Sequence, residues 1–68
     1  MTGWQSLTDT QQAVAGLVAQ GLSNGQIATR MYISPHTVAY HLRQTFLKLS
    51  VASRWELTRV VIERAADG

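Results

Sequence analysis

Four helix-start signals are spread along a chain of only 68 residues, and together they leave it little choice of architecture. Thr8 with Gln11, and Ser23 with Gln26, match the pattern in which a hydroxyl and a side-chain amide three residues apart cap each other's backbone. Ser34-Pro35 is the clearest start. Serine caps, and proline at the first helical position loses no hydrogen bond it could have made. Ser53 supplies the fourth signal, and between the signals the apolar residues recur at helical spacing, with no strand-like alternation of any length.

Each interval then reads as one helix. After Thr8, Val14, Leu17 and Val18 share a face, Asp9 complements the helix dipole, and Gly21 is a natural terminator. This predicts a helix over 8–20, with Leu7 placed to act as a hydrophobic staple. Ile27, Ala28 and Met31 give 24–31 a short inward face; Asn24-Gly25 would suit a hairpin turn, but no strands flank it. Val38, Leu42, Thr45, Phe46 and Leu49 form the buried stripe of a helix over 35–49, and Ile33 plugs the core in the short connection Tyr32-Ile33. The opposite arc of that helix carries His36, Ala39, Tyr40, Arg43, Gln44 and Leu47, with Thr37 and Lys48 at one flank. A last helix, 54–66, has Leu57, Val60, Val61 and Ala65 on one face and Trp55, Ile62 and Ala66 on another, roughly 120° away. The expected fold is all-α: one four-helix domain over 1–68 with a helix-turn-helix at 24–49. The second apolar face of 54–66 is one more than its own core requires, which points to self-association.

Composition narrows the function. The chain has no cysteine, so apolar packing alone must hold it and no thiolate zinc site exists. No apolar run approaches the roughly 20 residues of a membrane helix, and no signal-peptide core opens the chain, so a soluble cytoplasmic domain is expected. The acids are Asp9, Glu56, Glu63 and Asp67, whereas residues 10–55 hold Arg30, Arg43, Lys48 and Arg54 and no acid at all. A one-signed segment of this kind suggests a surface that faces a polyanion.

Catalysis has little behind it. His36 and His41 are five residues apart on different faces, so no metal pair forms, and Gly16, Gly21 and Gly25 match no nucleotide fingerprint. No metal, cofactor or enzymatic activity is expected. Arg59 and Arg64 most simply make a solvated face with Glu56 and Glu63.

Leu7-Thr8, Gly21-Leu22-Ser23-Asn24, Ile27-Ala28, Ile33-Ser34-Pro35, Thr37-Val38, His41-Leu42, Lys48-Leu49 and Ser53-Arg54 follow one another in the order and at the spacings of the LuxR-type (LuxR/FixJ) DNA-binding domain, which the chain resembles over residues 7–66. The resemblance implies a helix-turn-helix module of a bacterial transcription regulator, whose third helix enters the major groove and whose fourth commonly mediates dimerisation. By position it puts base contacts at Ala39, Tyr40 and Arg43, and phosphate contacts at Asn24, Ser34, Thr37, Lys48 and Arg54. His36, Gln44 and Arg30 are further candidates for DNA contact, and Trp55, Thr58, Arg59, Ile62 and Ala66 form the dimer interface. The implied partners are double-stranded DNA with a palindromic operator, a second copy of the chain, an upstream regulatory domain and RNA polymerase, with no membrane.

The chain also departs from the family's pattern. Many relatives carry cations at the positions of Ala39 and His36, so reliance on Arg43 is expected to be heavy. Glutamate is usual at Gln11, where the hydrogen bond can survive but an ion pair cannot, and glycine is usual at Ser50. Thr45 stands where an aliphatic is common. The alternative function is a helix-turn-helix interaction module that dimerises with or blocks another regulator without binding DNA.

Overall fold

The computed structural model describes residues 3–67. A short 3-10 turn at Trp4–Ser6 leads into four helices: α1 Asp9–Ala19, α2 Asn24–Met31, α3 Pro35–Leu49 and α4 Arg54–Asp67, with no strand among the described residues. The expected helix bounds hold to within a residue, because each start is written by a local cap. Thr8 and Gln11 form a reciprocal capping box, with Gln11 N donating to Thr8 Oγ1 at 3.1 Å and Thr8 N to Gln11 Oε1 at 3.0 Å. Ser23 and Gln26 repeat it at 3.2 and 2.8 Å. Ser34 Oγ accepts from Thr37 N at 3.1 Å ahead of Pro35, and Ser53 Oγ accepts from Glu56 N at 3.1 Å.

The first three helices end in one geometry. A residue with positive φ is followed by an amide that reaches back five residues: Leu22 N to Leu17 O at 3.2 Å, Ile33 N to Ala28 O at 3.0 Å, Val51 N to Phe46 O at 3.0 Å. This is the Schellman closure. Gly21 (φ 91°) serves it on α1, but Tyr32 (φ 59°) and Ser50 (φ 56°) do so on α2 and α3. Ser50, where glycine is usual in the family, thus takes a conformation that glycine adopts more easily, and Tyr32 does the same.

Helix α1 packs against both α3 and α4, and α2 lies mainly on α3. Val14, Ala15, Ile27, Val38 and Leu57 are completely shielded from solvent at the centre, and the larger of these contribute about 1.5–3 kcal/mol each on burial. Ile33 packs against this core from the α2–α3 turn, as expected. Thr45 is also fully buried; its hydroxyl donates to His41 O at 2.8 Å, so no polar atom is stranded.

Three expectations need correction. Leu7 is buried, but the helix position it would staple is Gln12, whose amide donates to Leu7 O at 3.4 Å instead. Ala65 is exposed, because burial on α4 fades from Leu57 through half-buried Val60 and Val61 to its end. Arg64 does not join a solvated acidic face: its guanidinium lies over the Trp4 ring, 5.1 Å from the centroid, and helps hold the 3-10 turn against the fold.

Candidate nucleic-acid interface

The outward arc of α3 is as the helical spacing requires. With Val38, Leu42 and Thr45 turned into the core, His36, Ala39, Arg43 and Leu47 are exposed, Tyr40 is largely so, and Gln44 and Thr37 are half-buried at its edge. Tyr40 also meets the His41 ring edge-on, with centroids 5.7 Å apart.

Two shallow depressions meet on this arc. His36, Ala39, Tyr40 and Arg43 line one. The other is lined by Ala39 and Arg43 together with Asn24 from the start of α2 and Arg54 from the start of α4, over an apolar floor of Leu42 and Phe46. Ala39 and Arg43 belong to both, so the tertiary fold joins the expected base-contact residues to two of the expected phosphate residues in a continuous groove. Asn24 and Arg54 are themselves bonded. Arg54 Nη1 donates to Asn24 Oδ1 at 2.7 Å and Nη2 to Leu22 O at 2.8 Å, which ties the first turn of α4 to the first turn of α2. Arg43 has no such tie: among the described residues the ion pair present is Arg59–Glu63, on α4. Its guanidinium, with five donors in a planar fork, stands in the groove with no carboxylate partner.

The other expected contacts are placed differently. Ser34 and Thr37 stand at the α3 start with their hydroxyls 2.9 Å apart, so part of their bonding capacity is spent on the cap. Lys48 is turned toward the N-terminal segment: its Nζ donates to Ser6 O at 3.0 Å and to Gln11 Oε1 at 2.9 Å, which leaves one of its three donors. Gly3 N donates to Lys48 O at 3.3 Å in the same place. The expected hydrogen bond to Gln11 thus survives without an ion pair. Arg30 sits on the far side of α2, in a separate depression with Thr29 and Tyr32, and is not brought to the α3 groove.

On α4, Trp55, Thr58, Arg59 and Ile62 line a shallow depression together with Glu63. Trp55 and Ile62 are 69% and 59% exposed, so this second apolar face has no cover among the described residues. Arg59 is held at 5.8 Å over the Trp55 ring and at 3.2 Å from Glu63 Oε2. Ala66 is exposed beyond the depression. Sequence reasoning missed Glu63 here and the apolar floor of Leu42 and Phe46 in the α3 groove. The helical register of α3 already puts Leu42 and Phe46 on the edge of its buried stripe, which is where a floor would be found.

Among the described residues no group of histidines and acids could hold a metal ion, and no helix is long and apolar enough to cross a membrane.

Comparison with known proteins agrees with this geometry. The model of the luxR family of bacterial regulatory proteins matches residues 5–61. An HTH-type transcriptional regulator of Mycobacterium tuberculosis (strain CDC 1551) is 45% identical over 64 residues, covering 94% of this chain and 7% of the relative. The nitrate/nitrite response regulator protein homolog of Haemophilus influenzae is 44% identical over 59 residues, 87% of this chain and 28% of the relative. The HTH-type transcriptional regulator AlkS of Pseudomonas putida is 42% identical over 62 residues, 91% of this chain and 7% of the relative. The chain therefore spans less than a third of each of these proteins. Its four capped helices, its cationic outward arc on α3 and these matches lead to one conclusion: the chain belongs to the luxR family of bacterial regulatory proteins and is a helix-turn-helix DNA-binding domain of that family.

Proposed function

We propose that the chain, as a single domain over 1–68, reads duplex DNA with α3 in the major groove and with Arg43 as its principal base contact. The observation that carries this reading is the carboxylate-free Arg43 fork, standing in a groove that α2, α3 and α4 all line. A guanidinium pairs with guanine through O6 and N7 and discriminates by about 1–3 kcal/mol. Ala39 and Tyr40 flank it with apolar surface and one hydroxyl, and His36 completes the inner depression. Asn24 and Arg54, already bonded to each other, form a preorganised phosphate clamp on one side of α3, and Ser34 and Thr37 offer hydroxyls at its start. Lys48 contributes to phosphate through its remaining donor. Gln44, half-buried, reaches the edge of the groove. Arg30 stands apart on α2 and adds to the general field.

In this reading a second copy docks through Trp55, Thr58, Arg59 and Ile62 on α4, with Ala66 at the margin, and the dimer recognises a palindromic operator. The support is the uncovered apolar face, which the core of one copy does not use. The lengths of the relatives support a setting within a longer bacterial regulator, where an upstream regulatory domain receives the signal and RNA polymerase is the downstream partner. Such a protein acts in the cytoplasm, where the chromosome is.

The test is selection of bound sites from a randomised duplex library at two salt concentrations, with wild type and Arg43→Ala side by side. The expected result is a palindromic motif containing guanine, an affinity that falls steeply with salt, and loss of discrimination at that guanine in the variant. Unchanged affinity and site preference in Arg43→Ala would overturn the proposed orientation of α3. No salt-sensitive binding at all, with a tight complex to another regulator, would establish the interaction-module alternative.

A further inference from the structure

The outward arc of α3 carries one side chain for which base and phosphate contacts as assigned above have no use. Leu47 is 68% exposed, although it is a large aliphatic on a helix whose apolar stripe faces the other way. At 100° per residue, His36, Tyr40, Arg43 and Leu47 fall within an arc of about 60°, opposite buried Val38, Leu42 and Thr45. Tyr40 and Leu47, the two large apolar side chains exposed on α3, therefore sit on the same side and bracket Arg43. Leu47 follows Arg43 by about 6 Å of axial rise, which is about two base steps along a groove.

We propose that Leu47 is a specificity-determining residue that reads a thymine methyl group in the operator, about two positions from the guanine bound by Arg43. The proposal rests on the reading of α3 as the major-groove element and extends it by one helical turn. A leucine has no donor and no acceptor, so phosphates and the polar base edges offer it nothing. Of the groups that distinguish base pairs in the major groove, the thymine C5 methyl is the one that complements an aliphatic side chain. Continuity with Arg43 on one stripe argues for DNA as the occupant, since any partner that covers Arg43 along this face reaches Leu47 as well.

The test uses the duplex selected by the wild-type chain, in which each thymine is replaced in turn by deoxyuridine, removing only the methyl group. Binding is measured for wild type, Leu47→Ala and Arg43→Ala. At one thymine the wild type is expected to lose affinity roughly fourfold on methyl removal, the worth of one buried methyl-sized group. Leu47→Ala is expected to bind the thymine duplex correspondingly more weakly and to show no further loss with deoxyuridine at that position. Leu47 is exposed in the last turn of α3, and alanine is the strongest helix former, so the substitution leaves the fold in place. If Leu47→Ala retains wild-type affinity and the same sensitivity at every thymine while Arg43→Ala loses its guanine, the role of Leu47 is overturned and α3 remains the reading helix. If the wild type selects no duplex, both readings fall together.

Discussion

Replacing Gln11 by glutamate should make this domain more stable, and the amount follows from the contacts of one oxygen. Gln11 is only 7% exposed, and its Oε1 accepts from Lys48 Nζ at 2.9 Å and from Thr8 N at 3.0 Å. Glutamate has the same shape, so the substitution exchanges a neutral acceptor for a charged one without moving an atom. The direct attraction at this distance is several kcal/mol at an effective dielectric near 20, but the carboxylate must also be taken out of water at comparable cost. The surplus over the existing charge–amide bond is about 1 kcal/mol, and a negative charge in the first turn of α1 adds about 0.3–1 kcal/mol through the helix dipole. A gain of about 1–2 kcal/mol corresponds to a Tm higher by about 5–15 °C in a domain of this size. The new carboxyl is stabilised in its ionised form when folded, so the gain is present above the ordinary glutamate range near pH 4.3 and disappears as pH falls through the lowered folded value. Thermal melts of wild type, Gln11→Glu, Lys48→Met and the double variant, at pH 7 and pH 3, measure this directly. If Gln11→Glu raises Tm equally with and without the lysine, the gain comes from the helix dipole and the charge of Lys48 adds nothing to it.

Two further outcomes can be checked on the same protein. Tyr32→Gly should raise stability by about 0.5–1 kcal/mol, because a side chain that is 95% exposed returns no packing for its φ of 59°; an unchanged denaturation midpoint would show that the position carries no strain. Ile62→Glu should leave helicity intact yet keep the chain monomeric in sedimentation and weaken operator binding, whereas a wild type that is monomeric at high concentration would remove α4 as the dimer contact.

The parts of this fold that could be read without the structure are those decided within a few residues. Side-chain caps act between positions three apart, so the capping boxes of Thr8 and Ser23 and the Ser34 cap ahead of Pro35 mark helix starts whatever the rest of the chain does. Helical register likewise turns Val38, Leu42 and Thr45 away from Tyr40 and Arg43 before any neighbour is known. Tyr32 was illegible because nothing local asks a tyrosine to adopt positive φ; the tight return from α2 to α3 imposes it. The exposure of Ala65 was equally hidden, since an apolar residue at the right register is buried only if another element reaches that far.

Charge shows the same division. From residue types and spacing alone, the middle of the chain is acid-free, its cations are Arg30, Arg43, Lys48 and Arg54, and one face of α3 is solvent-directed. Which of those cations remain available was settled by packing. Lys48 meets Ser6 and Gln11 across the junction of α3 with the N-terminal segment, and Arg54 meets Asn24 and Leu22 where α4 begins beside α2. These partners lie 30 or more residues away along the chain. Such pairings depend on the angles at which helices cross, and no rule of local spacing encodes those angles. The same crossings leave Arg43 facing outward, with no carboxylate among the described residues paired to it.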